Sequence, residues 1–378
     1  MPLFHTEQQA ILADTVRPFL AEEAPIRHMR ALRDADDRIG FSPQLWRSFG
    51  ELGLNGILMD ESEGGLGLGH VEAGIVLEEI GRNLTPSPFL ATAVGAVTAL
   101  KSGSVSQRET WLPRILNGDA VGTLAVDETV RHRPERITLQ ADRIGSRFRL
   151  VGEKRFVTYG HVADVLIVAA RTAGSEDEEL GVTLFLVERE AANLTAEADR
   201  LTDANLAARL KFDGVELSAD AVIGEIDHGF GALSKTLSAL CAGVSAEMVG
   251  VASGALSMTV GYLNERKQFD RLIGSFQALQ HRAAHLYAEM EVARAAVLKA
   301  QQLLDSNDQT AEQAVMVAKA MTCMASALAV QEGVQMHGGI GMTDEYDVGF
   351  YMKRQRVLAE SFGGADYHAN RLARLAGY

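Results

Sequence analysis

Residues 242–269 read AGVSAEMVGVASGALSMTVGYLNERKQF, and residues 276–290 read FQALQHRAAHLYAEM. Apolar side chains recur at the helical period in both, and a charged turn separates them. The pair is therefore read as two long helices of one bundle. From Thr236 to Asn264 the only charged side chain is Glu247. Its neighbours three and four residues away are Gly243, Val244, Gly250 and Val251, which offer no counter-charge. A carboxylate among small apolar groups is poorly solvated. Its pKa is expected to rise, which suits a proton acceptor near neutral pH. The same residue would serve equally as a wet helix-edge glutamate, or as the partner of an arginine from another helix.

Four helical segments can be drawn after Gly229, near 231–265, 276–305, 311–336 and 346–373. Asp305-Ser-Asn-Asp breaks the second from the third, and His337-Gly-Gly-Ile-Gly ends the third. Short links between such helices predict a four-helix bundle over 229–378. Upstream, VGTLAV, RITLQA, FRLVG, VLIVAA, VTLFLV and LKFDGVEL are short β-prone runs separated by turns. They predict an antiparallel β-barrel or sandwich over 119–228. Residues 1–118 read helical. Thr6 with Gln9 forms a capping signal for a helix whose apolar face carries Ile11, Leu12, Thr15, Val16, Phe19 and Leu20. Ser42-Pro43 starts another helix. The glycines between Gly64 and Gly69 form a loop that is not a dinucleotide fingerprint. Pro86, Pro88 and Pro113 are read as helix breaks. The fold class is α+β in the order helical, β, four-helix.

The chain has 378 residues, 47% hydrophobic and 23% charged, with a formal net charge of −14. This supports a large core and argues against nucleic acid or an anionic membrane surface as a general partner. Cys241 and Cys323 form no CxxC pair and are read as buried thiols in a reducing compartment. Met1 to Gln8 has no secretory pattern. The Glu247 helix is long and apolar, but its Ser, Thr and Gly content suits a protein core better than lipid. A cytoplasmic protein is expected. His281, His285 and His337 have no metal-ligand spacing, so no metal is expected.

Three motifs give the chain a resemblance, over nearly its whole length, to the flavin-dependent acyl-CoA dehydrogenase family. They are Leu52-Gly-Leu-Asn-Gly-Ile with GGLGLG and LEEIGR; YLNERKQFDRLIGSFQALQHRAAHLYAEM at 262–290; and Gln335-Met-His-Gly-Gly-Ile-Gly. The resemblance implies FAD. Arg266 matches an arginine that reaches the cofactor of a neighbouring subunit, and its planar charged fork suits a pyrophosphate. Phe269 and Gln277 match positions lining the same cofactor. Gln335, Gly338 and Gly339 match a loop whose backbone approaches it. In the β segment, Phe156 matches an aromatic that covers the flavin ring, and Thr158 a hydroxyl near flavin N5. The family's usual Thr-Glu-Pro and Gly-Ser-Asp stretch is replaced by Ala125-Val-Asp-Glu-Thr129 running into RHRPER. The latter is read as a solvated loop or a local basic patch for a CoA phosphate.

Many members carry their catalytic acid near the carboxy terminus, where this chain has Gly363 in Ser361-Phe-Gly-Gly-Ala365. A subset carries it on the first bundle helix in an Ala-Glu-x-Val-Gly context, which Ala246-Glu-Met-Val-Gly250 matches. The resemblance therefore implies Glu247 as the base of an α,β-desaturation of an acyl-CoA thioester. It also implies an electron-transfer flavoprotein as acceptor, and a homo- or hetero-tetramer with a second acyl-CoA dehydrogenase subunit. The look is closest to small subunits of bacterial hetero-oligomeric members, such as those acting on pimeloyl-CoA or steroid side chains. A half-site subunit without its own catalysis, or a flavin monooxygenase on the same fold, are the alternatives.

Overall fold

The computed structural model describes residues 3–378. Met1 and Pro2, which begin the stretch read as lacking a secretory pattern, lie outside the described residues. The first helices are α1 (Glu7–Glu23), α2 (Ile26–Asp34), α3 (Pro43–Glu51), α4 (His70–Asn83), α5 (Val97–Leu100) and α6 (Val105–Leu116). Strands β1 (Gly122–Ala125), β2 (Gln140–Ile144), β3 (Arg147–Thr158), β4 (Val165–Arg171), β5 (Val182–Glu188), β6 (Leu194–Arg200), β7 (Leu206–Ser218) and β8 (Val222–Ile223) follow. Then come α7 (Phe230–Glu265), β9 (Lys267–Gln268), β10 (Arg271–Leu272), α8 (Gln277–Asp305), α9 (Ala311–His337), α10 (Val348–Glu360) and α11 (Ala365–Leu375). The helical, β, helical order is the one expected.

The chain forms two compact units. One comprises the chain up to Asp34 with Gly69–Pro86 and Cys241–Tyr378; the other comprises Ala35–Leu68 and Ser87–Leu240. In the first unit, Thr6 Oγ1 accepts from the Gln9 backbone N–H and the Gln9 side chain accepts from Thr6, the full capping box. Val16 and Leu20 of α1 are buried and Leu12 and Phe19 half-buried, but Ile11 and Thr15 are exposed, so the buried face is narrower than expected. Helices α4 and α7 approach through glycines. A Cβ on Gly81 would lie 2.1 Å from the Glu247 carbonyl oxygen, and one on Gly250 would lie 1.9 Å from that of Glu78. No larger residue fits that crossing. The most apolar window of α7 is wholly buried, so its membrane-like length is used within the protein core.

The fourth bundle segment is not one helix. It breaks between α10 and α11, where Phe362 (φ 56°) and Gly363 (φ 95°) both adopt the left-handed region. A run of two such residues cannot continue a right-handed helix.

The second unit holds a sheet of strand order β6-β7-β3-β2-β4-β5-β8, with β1 pairing to β4. Most pairs are antiparallel as expected, but β1 runs parallel to β4 and β2 meets β4 through one parallel pair, Gln140 with Arg171. Helix α3 begins with Ser42 Oγ accepting from Leu45 N, with Pro43 in the first turn. Trp46 Nε1 donates to the Ala120 carbonyl and Thr92 Oγ1 to that of Gly122, which fastens the helical segments to the start of the sheet. Pro113 does not break its helix and lies inside α6. Capping by Ser104 and burial of Trp111, Leu112 and Ile115 outweigh the missing donor.

Candidate active site

Glu247 is 2% exposed and faces α10 from the middle of α7. It is not solitary. Arg354 on α10 donates to its Oε1 through Nε at 2.8 Å and through Nη2 at 2.5 Å. Of the readings left open for this residue, the one realised is the pairing with an arginine from another helix, 107 residues away in sequence. Two residues flanking Arg354 fix its helix. Tyr351 Oη donates to the Arg82 carbonyl of α4 at 2.7 Å. Gln355 Nε2 donates to Ser326 Oγ and the Cys323 carbonyl on α9.

The position that the resemblance matches to a terminal acid is a built backbone turn. Buried Lys319 on α9 donates through Nζ to the carbonyls of Leu358, Ala359 and Gly363. Cys241 Sγ and a ring nitrogen of His368 meet the Phe362 carbonyl. A Cβ on Gly363 would lie 2.3 Å from the Tyr367 ring. Gly363 itself provides no acid; the carboxylate beside the turn is that of Glu360, whose Oε2 lies 3.8 Å from a Cβ built on Gly364.

The residues matched to cofactor contacts lie toward one end of α7 in the same unit. Arg266 follows α7 directly, is exposed, and makes no ion pair among the described residues; in particular it does not pair with Asp270. Phe269 and Asp270 form the tip of the β9–β10 hairpin with φ of 53° and 59°. Two positive φ values are the geometry of a tight hairpin turn, and Phe269 is presented 86% exposed. Arg271 covers the Phe276 ring at 3.9 Å, and Gln277 is the exposed first residue of α8. Gln335 closes α9 and accepts from the Gly338 N–H. Nothing lies within 4 Å of a Cβ built on Gly338 or Gly339.

His337 joins these two motifs. Its ring stacks on Tyr262 of α7 with centroids 4.6 Å apart and meets Tyr346 at 4.8 Å. Nδ1 donates to the Gly333 carbonyl at 2.7 Å, and burial holds the imidazole pKa below its ordinary value. The imidazole thus packs between the two tyrosine rings. Glu247 is not brought to Arg266: nineteen residues of helix separate them by about 28 Å at 1.5 Å per residue.

Phe156 and Thr158 belong to the second unit. Phe156 sits at a bulge between Lys154 and Val157, with φ 55° and 53% exposure. A bulky residue in that conformation is uncommon, and bulges re-aim side chains. Thr158 is exposed at the end of β3, and its carbonyl accepts from Thr123 Oγ1. The altered stretch upstream has its own chemistry. Fully buried Lys154 donates to Glu128 at 2.7 Å and to the Val126 carbonyl at 2.9 Å. Glu128 also accepts from the Thr138 and Leu139 backbones. Burial opposes its ionisation, but Lys154 and these donors hold the carboxyl below its ordinary range. In RHRPER, His132 meets Asp127 and Arg136 pairs with Glu176, while Arg131 and Arg133 are exposed.

Residues 6–119 match the family described as "Acyl-CoA dehydrogenase, N-terminal domain", and residues 227–376 match "Acyl-CoA dehydrogenase, C-terminal domain". Acyl-CoA dehydrogenase IpdE2 of Mycolicibacterium smegmatis is 31% identical over 359 residues, covering 95% of each chain. The solved "Tcur3481-Tcur3483 steroid ACAD G363A variant" is similar with TM-score 0.88 and 30% identity, covering 98% of each chain. The ChsE4-ChsE5 complex from Mycobacterium tuberculosis matches with TM-score 0.89 and 28% identity, covering 100% of this chain and 99% of that one. The family works with FAD. With this fold, and with these motifs spaced as they are, the chain belongs to the acyl-CoA dehydrogenase family, a family of FAD-dependent oxidoreductases.

Proposed function

We propose that this protein introduces an α,β double bond into an acyl-CoA thioester, with Glu247 as the base that removes the α proton. The observation that carries the reading is a buried carboxylate on α7 combined with Gly363 where many relatives hold their acid. The thioester acidifies the α C–H, and a base must be in its carboxylate form to accept that proton. FAD, when bound, supplies the acceptor for hydride leaving the β carbon. The residues present fit that cofactor. In the first unit, Arg266 offers an exposed guanidinium for a pyrophosphate, and Gly338 and Gly339 leave their backbone open to close approach; in the second unit, taken by itself, Phe156 offers an exposed aromatic face. Arg131 and Arg133 are the candidate contacts for a CoA phosphate, and an electron-transfer flavoprotein is the proposed acceptor. Gly250, Gly254 and Gly81 serve close helix packing, with other atoms within 2.5 Å of a Cβ built on each. A Glu247→Gln variant that keeps FAD is expected to lose acyl-CoA-driven flavin bleaching; unchanged bleaching would refute the assignment.

A second reading rests on the Glu247–Arg354 pair itself. A carboxylate engaged by a guanidinium, in a chain without a terminal acid, also fits a subunit that completes a site on a different partner chain. The two-protein names of similar solved structures favour a hetero-oligomer. Turnover of an acyl-CoA by the isolated FAD-loaded protein would dispose of this reading.

A further inference from the structure

We propose that Arg354 is the positioning residue for Glu247, holding its carboxylate ionised and fixed in direction on α7. This rests on Glu247 as the base and adds what makes that base usable. A carboxylate at 2% exposure with no positive neighbour takes up a proton, and a protonated acid cannot serve as a base. The charged groups of α4 that neighbour this pair and the buried lysine of α9 have partners of their own. On α4, Glu78 pairs with Arg82 and Arg294, and Glu79 with Arg82 and Arg17. Lys319 on α9 is spent on three backbone carbonyls. Tyr351, one turn before Arg354, is kept protonated by burial and donates to the Arg82 backbone carbonyl. Arg354 is a cation that meets Glu247 directly.

Geometry supports positioning as well as charge. Nε and Nη2 converge on one oxygen, Oε1, so the guanidinium plane sets the direction of the carboxyl group. Its helix is tied to α4 by Tyr351 and to α9 by Gln355, and the turn after it is clamped by Lys319. The donor therefore has little freedom to follow a displaced carboxylate.

The test uses FAD-loaded Arg354→Met and Arg354→Lys protein. FAD content is read by absorbance, and anaerobic flavin reduction by an acyl-CoA that the wild type oxidises is followed against pH. Arg354→Met is expected to keep FAD and to move the acid limb of the reduction rate upward by about 1–3 pH units. Arg354→Lys keeps the charge and loses the two-nitrogen grip, so kcat should fall at least about tenfold with KM nearly unchanged. Thermal unfolding gives a readout independent of turnover. Arg354→Met leaves an unpartnered buried acid that binds a proton on folding. Its Tm deficit relative to wild type should narrow as pH falls from 7 to 5, and the added Glu247→Gln change should abolish that narrowing. A pH profile of Arg354→Met superimposable on wild type would overturn the proposal. If that variant yields no folded protein, wild-type kcat in Arg354→Lys would overturn it. Bleaching that survives Glu247→Gln instead defeats the base assignment, whatever Arg354 does.

Discussion

Lys319 Nζ donates to the backbone carbonyl of Gly363 at 2.9 Å, so a buried cation holds the turn that the family resemblance matches to a terminal acid. The turn is committed to backbone geometry. Gly363 has φ 95° and its missing side chain is replaced by the Tyr367 ring.

Restoring an acid there should therefore fail. Gly363→Glu forces a side chain into the left-handed region and against Tyr367, with strain of about 1–3 kcal/mol before any clash. We expect a lowered Tm and no bleaching when it is combined with Glu247→Gln. Recovery of bleaching in that double variant would show the turn to be more adaptable than its contacts imply.

The α4–α7 crossing predicts a large cost for one methyl group. Gly250→Ala places Cβ within 1.9 Å of the Glu78 carbonyl oxygen, which is backbone and cannot move aside alone. Destabilisation of about 1–3 kcal/mol or more is expected by denaturant unfolding. A control at Gly261, where nothing lies within 4 Å of the built Cβ, should change little.

The Lys154–Glu128 pair predicts acid sensitivity in the sheet-bearing unit. Glu128 has a folded pKa held below its unfolded value, so its contribution is present above about pH 4.5 and is lost as pH falls through the lower folded value. Lys154→Met strands a carboxylate at 8% exposure and should cost about 3–5 kcal/mol at pH 7. Urea unfolding at pH 7 and pH 3 reads both effects, and the variant should lose less on acidification than the wild type.

His337 gives a second pH window. Its folded pKa lies below 6.5, so the unfolded chain binds the extra proton first and stability falls as pH drops below that value. His337→Phe keeps the stack between Tyr262 and Tyr346 but removes the titrating group and its bond to Gly333. Its Tm should be lower than wild type at pH 8 and should change less between pH 7 and pH 5. An equal acid-induced loss in both proteins would place the titration elsewhere.

Long periodic segments were legible in sequence because one buried face repeats over many turns, as in α7, α8 and α9. The capping residues Thr6 and Ser42 were legible because their bonds are local. What escaped depends on distant neighbours. Pro113 is carried through α6 by the burial of Trp111 and Ile115. The break at Phe362 lies inside an otherwise helical pattern and is stabilised by Lys319 and His368 from other segments. Arg354 sits among Lys353 and Arg356, and nothing local says which of the three turns inward to Glu247. The arginine that meets Glu247 was therefore visible only as one of the open readings, whereas the glycine at 363 is plain in the sequence.

The decisive measurement is anaerobic spectral titration of FAD-loaded Glu247→Gln protein against the acyl-CoA that best bleaches the wild type. With Glu247 as the base, FAD content stays at wild-type level and the reduction rate falls by about 10²–10⁴-fold. Flavin bleached at the wild-type rate would contradict the account.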